Sequence, residues 1–486
     1  MKKHISIIGA GFSSLASACY LAKAGYNVEI FEKNNHLGGR AKVLEQDDFK
    51  FDMGPTWYWM PDIFEDFFND FDKDVSQYYK LHKLDPAYEV FFDKMDSVKI
   101  FGDTKKIEQE FERIEKGSGK KLNNYLKTAK ENYEFAVGKM VHKPGRSPLE
   151  LLEWEALKKI KYVFWPIRKL IARQFSNTRL KKILEFPVLF LGSTPSETPA
   201  LYNFMNWADF GLGTWHPEQG MSMVSNAMVD LAKELGVTIH KNSSVEKIHC
   251  HEKMVKHITV NGENIATDIV VSGADYYHTE NLLDVSFRQY SKDYWKSKQF
   301  APSALLFYLG FNKKIKNVSH HTLFFDTEFD EHAVEIYKTK QWPKNPLFYA
   351  SFPTITDKSF APQGCESCTI LIPLANDIDD SPEMRSKYRE IILDRLESLT
   401  DQSLKDNIVV SESFCVNDFK SEYNSFGGNA YGLANTLLQT AFLRPKLESK
   451  KVNNLYFTGQ LTVPGPGVPP AIISGKIVAN LISENV

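Results

Sequence analysis

The sequence predicts an α/β protein of more than one domain, on three observations. A short apolar run, Ile5, Ile7 and Ile8, leads through Gly9-Ala10-Gly11-Phe12-Ser13-Ser14 into a helical pattern (Leu15, Ala18, Cys19, Ala22) that Gly25 stops. A strand pattern from Val28 to Phe31 follows and ends on Glu32. Near the other end of the chain, Leu455-Tyr456-Phe457-Thr458-Gly459 reads as another strand, and Ala471 to Ile482 as a helix.

Strand, glycine turn, helix, strand and acid make the first half of a dinucleotide-binding βαβ unit. Gly9 permits the tight turn, and Gly11 has no side chain to block a pyrophosphate. The helix start at Phe12 and Ser13 offers N–H groups and a positive dipole end. Glu32 stands where a carboxylate accepts hydrogen bonds from a ribose. Ser14 occupies the third glycine position and is small enough for close helix–strand packing. Lys2-Lys3 and Leu15-Ala16-Ser17-Ala18-Cys19 imitate a secretory signal, but cleavage there would discard the strand and turn that the next strand needs.

With 486 residues the chain has room for two or three domains. A formal net charge of -2 gives no global attraction to nucleic acid. Five cysteines, one of them inside the first helix, do not form a disulfide framework and suggest a reducing compartment. Cys365-Glu366-Ser367-Cys368 has redox or zinc spacing but no second ligand pair, so no metal is expected. No uncharged apolar run reaches the ~18 residues of a membrane-spanning helix, which leaves a soluble or peripheral protein.

The stretch after Glu32 points to a cofactor. Glu32-Lys33-Asn34-Asn35-His36-Leu37-Gly38-Gly39-Arg40 resembles the Glu…Gly-Gly-Arg signature of flavoproteins of the amine oxidase and phytoene desaturase superfamily. The resemblance implies FAD, with Lys33, Gly39 and Arg40 along its pyrophosphate and flavin. Asp52-Met53-Gly54-Pro55-Thr56 looks like the segment that passes the flavin ring in the phytoene desaturase family. Trp57, Tyr58 and Trp59 come next, as the lining of a long-hydrocarbon pocket or as ordinary core. Trp215-His216-Pro217-Glu218-Gln219-Gly220 returns the chain to the first domain, with Gln219 where the family commonly has glycine. Ser243-Ser244-Val245 resembles the second FAD contact, where the Val245 backbone would read the adenine. Pro464-Gly465-Pro466-Gly467-Val468-Pro469-Pro470 is similar to the loop signature of bacterial-type carotenoid desaturases, with Val463 where many have histidine. Its helix start would turn free N–H groups toward the flavin N1–C2=O edge. With Gly459, these motifs spread the resemblance over the whole chain.

Between the motifs, residues 104–145 read as solvated helices broken at Gly117-Ser118-Gly119. Residues 151–174 set Lys158, Lys159, Lys161, Arg168, Lys169 and Arg173 among Leu157, Ile160, Val163, Phe164, Trp165, Ile167, Leu170 and Ile171. Such a segment either lies in a membrane interface, with Trp165, Arg168 and Lys169 as contacts, or is a core helix with a solvated basic face. Pro166 would kink or split it. Residues 303–443 alternate strands such as Leu305 to Leu309 with loops and a charged helix from Pro382 to Leu399, and Gly428-Asn429-Ala430-Tyr431-Gly432-Leu433 resembles the family's substrate half, which implies a mainly antiparallel sheet.

The expected whole is a Rossmann-like FAD-binding domain (1–75, 215–300 and 445–486), a β-sheet substrate domain (76–103 and 301–444) and an inserted helical, membrane-proximal region (104–214). The resemblance implies an FAD-dependent desaturase of acyclic C40 carotenoids, acting on phytoene or on a later intermediate such as a 1'-hydroxycarotenoid at its 3,4 bond. It further implies a cytoplasmic protein peripheral on the membrane, with quinone or dioxygen as electron acceptor. No carboxylate or histidine is marked by its sequence context as a catalytic base. Two other readings are a flavin-free prenyl-lipid carrier of the GDP-dissociation-inhibitor type, which Gly-Gly-Arg and the Pro-Gly-x-Gly-Val-Pro loop oppose, and an FAD amine oxidase.

Overall fold

The computed structural model describes residues 2–94, 96–151, 159 and 161–485. Three separated stretches of chain build a parallel sheet with its helices. The first gives β1 His4–Ile8, α1 Phe12–Lys23 and β2 Asn27–Phe31. The second gives α2 Ser222–Glu234, β3 Thr238–His240 and β4 Ile269–Ser272. The third gives β5 Leu455–Phe457 and α3 Val468–Asn485. The strand order is β5-β4-β1-β2-β3. Ile7 of β1 lies between Val271 and Ile30, and Ile5 and Ile7 are fully buried, as a parallel sheet covered on both faces requires.

Small residues bring α1 and α3 together. A Cβ at Gly475 would fall 2.5 Å from the Ser13 carbonyl oxygen and 2.7 Å from the Ala16 Cβ. The Ser17 hydroxyl donates to the carbonyls of Ser13 (2.9 Å) and Gly475 (3.2 Å). Seen from sequence, Ser13, Ser14, Ala16 and Ser17 look like a weakly apolar helix face. In the fold they are all buried, Ser13, Ala16 and Ser17 against Gly475 of α3 and Ser14 against Gly273, because small side chains let backbones approach.

A second, seven-stranded sheet runs in the order Ile408–Phe414, Ser303–Phe311, Glu366–Leu374, Phe348–Ser351, His321–Phe324, Tyr88–Asp93, Asp96–Ile100. It is antiparallel except where His321–Phe324 lies parallel to Tyr88–Asp93. Strand alternation gives it two uses. Leu305, Phe307 and Leu309 pack in one cluster with Tyr388, Ile392 and Leu396 of the helix Pro382–Thr400. Ala304, Leu306, Tyr349 and Leu371 face the cavities described below.

A three-stranded sheet, Val245–His251, Met254–Val260 and Glu263–Ala266, turns its second hairpin at Asn261 and Gly262, both at positive φ. Helices Thr104–Ile114 and Ser118–Ala136 part at Gly117 (φ +84°). Pro166 divides the basic segment: residues 161–164 are helical, and a new helix, Ile167–Ala172, starts after the proline. Leu157, Lys158 and Ile160 lie outside the described residues. Among the described residues no helix is long and apolar enough to cross a membrane.

Substituting Leu for Gly475 forces α1 off α3. The expected loss is about 1–3 kcal/mol or more, read as a lower thermal midpoint by circular dichroism; an unchanged midpoint would mean that the two helices do not depend on this contact.

Candidate functional site

The C-terminal ends of β1, β2, β4 and β5 surround a cavity of about 300 Å³, in the crevice where open α/β sheets bind ligands. Gly9, Gly11, Phe12, Ser13, Glu32, Lys33, Gly39, Arg40, Gly54, Pro55, Val245, Gly459, Gly467 and Val468 all line it. Gly9 holds the turn at φ +87° and donates its N–H to the Phe31 carbonyl at 2.8 Å. A Cβ at Gly39 would come within 3.2 Å of the Gly11 Cα, so the Gly-Gly-Arg loop rests on the glycine turn.

Two charged groups stand in this wall. Glu32 is buried and accepts N–H bonds from Ala10 (2.8 Å) and Asn34 (2.9 Å). Burial raises its pKa, and those two bonds oppose the rise. Each carboxylate oxygen keeps a second lone pair for a ligand hydroxyl. The Arg40 Nη2 donates to the Ser425 hydroxyl at 2.7 Å, and the guanidinium lies 5.0 Å over the Tyr423 ring. Its Nε is buried without a partner. A buried cationic N–H without an acceptor is costly, and an anionic pyrophosphate supplies one. The donor set therefore fits a dinucleotide.

Three of the expected cofactor residues lie elsewhere. Ser14 faces β4: a Cβ at Gly273 would sit 2.0 Å from the Ser14 Oγ, so this glycine leaves the room that the serine takes. Thr56 and Pro469 line a second cavity. The expected set of free N–H groups at the start of α3 is also reduced. Pro469 and Pro470 have none and Ala471 donates to the Gly467 carbonyl, which leaves Val468 as the donor of that turn.

The second cavity, about 700 Å³, has a mostly apolar wall that includes Trp57, Trp59, Phe64, Phe186, Phe325 and Phe348. Six residues line both cavities: Gly54, Pro55, Leu371, Tyr431, Gly467 and Val468. Tyr58, expected beside Trp57 and Trp59, points away from it. Its ring stacks on Phe64 at 4.3 Å and its hydroxyl meets that of Tyr79 at 2.8 Å. The reason is local geometry, since successive extended residues face opposite ways.

Behind the aromatic wall lie polar groups that the sequence reading missed. The Trp59 indole N–H donates to the Thr214 hydroxyl (2.8 Å), and Asp209 accepts from Tyr88 (2.7 Å) and Thr214 (3.4 Å). Burial pushes Asp209 from 3.8 up to about 8. Its position in an apolar run, Trp207-Ala208-Asp209-Phe210, was the available signal. Trp57 stacks on His321 with ring centroids 4.2 Å apart. His321 Nδ1 lies 2.7 Å from the Tyr349 hydroxyl, which lies 2.9 Å from the Thr56 Oγ1.

The expected membrane contacts line neither cavity. Arg168 donates to Glu185 and Asp330, Trp165 stacks under Arg173 at 4.0 Å, and Lys169 is exposed. Their neighbour Phe164 does line the larger cavity, at 67% exposure.

Comparison with known proteins adds the lineage. Residues 12–483 match the family model described as flavin containing amine oxidoreductase. The chain belongs to that family. It is 41% identical to a carotenoid 3,4-desaturase from Haloarcula japonica, over 99% of this chain and 98% of that one. It is 31% identical to a 4,4'-diapophytoene desaturase (4,4'-diaponeurosporene-forming) from Staphylococcus haemolyticus, over 99% of each chain. Among solved structures, putrescine oxidase bound to putrescine superimposes with a TM-score of 0.63 at 16% identity, over 99% of each chain, a likeness of fold. Members of this family contain flavin, in keeping with the donor set around Glu32 and Arg40.

Arg40→Gln removes the buried cation and is expected to weaken FAD binding by about ten- to a hundredfold, measured by flavin fluorescence on titrating the apoprotein. Unchanged affinity would take Arg40 out of the cofactor site. Asp209 makes a pH prediction. Its folded pKa is raised, so the folded state keeps a proton that the unfolded chain releases above 3.8. The stability tied to that proton is fully present below 3.8 and is lost as pH rises toward about 8. Asp209→Asn imitates the neutral acid, so the stability gap between variant and wild type should widen in the variant's favour with pH, by up to about 1.4 kcal/mol per unit. Urea titrations at pH 5 and pH 8 measure the gap, and a constant gap would mean that Asp209 is ionised in the fold.

Proposed function

We propose that this chain is an FAD-dependent carotenoid desaturase that draws an acyclic polyene into the larger cavity and forms a C=C bond where that cavity meets the cofactor cavity. One observation carries the reading: a mostly apolar cavity of about 700 Å³ and a dinucleotide-type crevice share the wall formed by Gly54, Pro55, Gly467 and Val468. Bound FAD supplies a hydride acceptor, which no side chain can be. The protein's part is to align the chain and keep it dry.

Particular residues serve these tasks. The Asp52 carboxylate accepts the Met221 N–H at 3.1 Å and fixes the segment that carries Gly54 and Pro55 across the junction. Trp57 packs against Phe186, and Phe186 against Phe325, in tilted contacts about 6 Å between centroids. Such an interlocked wall is rigid, grips a flat polyene and admits little water. Glu32, Arg40 and Gly11 would hold the ribose and pyrophosphate, and Val245 the adenine end.

In this reading the stretches 1–75, 215–300 and 445–486 form the cofactor domain. Residues 76–103 and 301–444 form the substrate domain, and 104–214 a helical region against a membrane surface. Exposed apolar side chains support the last point. Leu149 (70%), Phe164 (67%) and Leu438 (77%) belong to stretches that also line the larger cavity, and the Lys446 ammonium clips two of these stretches together at the carbonyls of Gly145 and Phe442. Acyclic carotenoids dissolve in membranes, so a cavity opening among such residues receives them directly. The relatives bear names for two different steps, and the one at 41% identity favours a late, 3,4-type desaturation over phytoene. Amine oxidation is disfavoured because a buried ammonium needs a charge partner. Among the described residues lining the larger cavity the one carboxylate is Glu150, which is engaged by the N–H groups of Gly145 and Arg146.

FAD-loaded protein mixed with liposomes carrying either phytoene or a 1-hydroxylated acyclic carotenoid tests the function. The expected result is a red shift of the polyene absorption with the hydroxylated substrate. A shift with phytoene alone would reassign the step, and no shift together with no retained flavin would overturn the redox reading.

A further inference from the structure

Desaturation removes two hydrogens from adjacent carbons, one as hydride and the other as a proton. The second needs an acceptor. A side chain that takes it has to stand in the wall, close to the junction with the cofactor cavity. His332 lines the larger cavity but is fully used: Nε2 lies 3.0 Å from the Pro373 carbonyl, and Nδ1 accepts the Leu347 N–H at 3.0 Å. Glu150 stands next to the exposed Leu149, where the larger cavity meets the surface, and does not line the cofactor cavity.

Tyr349 is placed differently. It lies opposite Leu371 across the sheet, and Leu371 lines both cavities. Its hydroxyl is 2.9 Å from Thr56, the residue after Pro55, which also lines both. Behind it stands His321, wholly buried, clamped face to face by Trp57 and bonded to the Tyr349 hydroxyl through Nδ1 at 2.7 Å. The other ring nitrogen, Nε2, is buried with no partner. Burial and the nearby His216 hold the His321 pKa well below its ordinary value, so the imidazolium formed during the reaction gives its proton up once water enters. The groups facing it are Tyr349, His320 (4.5 Å between ring centroids) and, beyond His320, His216, whose Nε2 lies 3.3 Å from the Asp357 carboxylate. The His216 bond and neighbouring N–H donors keep Asp357 ionised, so a positive charge arising on His321 has an anion two rings away.

We propose that Tyr349 and His321 together form the proton acceptor of the desaturation, the substrate proton passing to the Tyr349 oxygen as the tyrosine's own proton passes to His321 Nδ1. One C–H bond breaks with its electron pair leaving as hydride to the bound flavin. The adjacent C–H bond leaves its pair behind as the new C=C bond, and its proton is balanced by the imidazolium on His321. When the product leaves, water reaches the Tyr349 hydroxyl and the proton returns to solvent by the same route.

This inference rests on the desaturase reading, and the test separates the two. Tyr349→Phe removes only the hydroxyl, and His321→Asn keeps a hydrogen-bonding atom near Nδ1 but cannot take a proton. Each FAD-loaded variant is mixed anaerobically with polyene and the bleaching of the flavin band is followed in a single turnover. Parallel measurements record FAD content and polyene affinity, the latter from quenching of tryptophan fluorescence in the apoprotein. The expected result is bleaching slowed by about a hundredfold or more in both variants, with FAD content and polyene affinity unchanged. A kinetic isotope effect from deuterium on the proton-losing carbon should be larger in the variants than in wild type. Bleaching within about twofold of wild type, or affinity and rate falling together without the isotope effect, would overturn the assignment. Wild-type flavin that fails to bleach when either polyene is added would overturn the desaturase reading itself.

Discussion

A Cβ at residue 54 would fall 1.9 Å from the Arg40 carbonyl oxygen, so only glycine lets the segment after Phe49–Asp52 lie directly on the Gly-Gly-Arg loop. This backbone-on-backbone contact sets where the two cavities meet. On one side it presses the loop against the glycine turn, where Arg40 and Glu32 face the dinucleotide crevice. On the other it aims Pro55 and Thr56 into the apolar chamber. A side chain at this point would push the Gly54–Pro55 backbone off the Arg40 carbonyl and move the two cavities apart.

The opposite wall is held by a buried cation without a carboxylate. Arg444 is 2% exposed and donates to the carbonyls of Leu433, Gln439, Gln460 and Thr462 and to the Asn435 side chain. Burial pulls its pKa down to about 10, so it remains charged. Five fixed acceptors compensate its lost hydration, and they tie the loop before Ala441–Leu443 to the loop that precedes α3. Both loops line the larger cavity. A polar knot behind apolar walls gives a cavity that keeps its shape without presenting charge to a hydrocarbon.

The local elements were legible because local rules produce them. The βαβ start and the breaks at Gly25 and Gly117 follow from φ preferences and from apolar periods of two and 3.6. The mainly antiparallel sheet was expected from the resemblance of residues 303–443 to the family's substrate half. Gly9, Gly11 and Glu32 could be grouped from the sequence because the glycine turn and the acid have fixed spacing in a βαβ unit, and Arg40 joined them through the Glu…Gly-Gly-Arg resemblance. Tyr58 could not be separated from Trp57 and Trp59 by composition, since all three are large aromatics. Arg168 read as a lipid contact because the acids that neutralise it, Glu185 and Asp330, are remote in sequence.

By itself the sequence determined the class of fold, the flavin-type cofactor motifs and the family, because each depends on short stretches whose backbone course is dictated by glycine, proline and apolar spacing. The tertiary structure alone decided that the two cavities share a wall, that Asp209 is buried behind Trp59, and that Thr56, His321 and Tyr349 meet beside Pro55 and Leu371 of that wall. Those three residues come from a loop and two strands far apart in the chain. Only the register of the seven-stranded sheet, with the loop packed on its face, brings them within hydrogen-bond distance, and no local pattern encodes that.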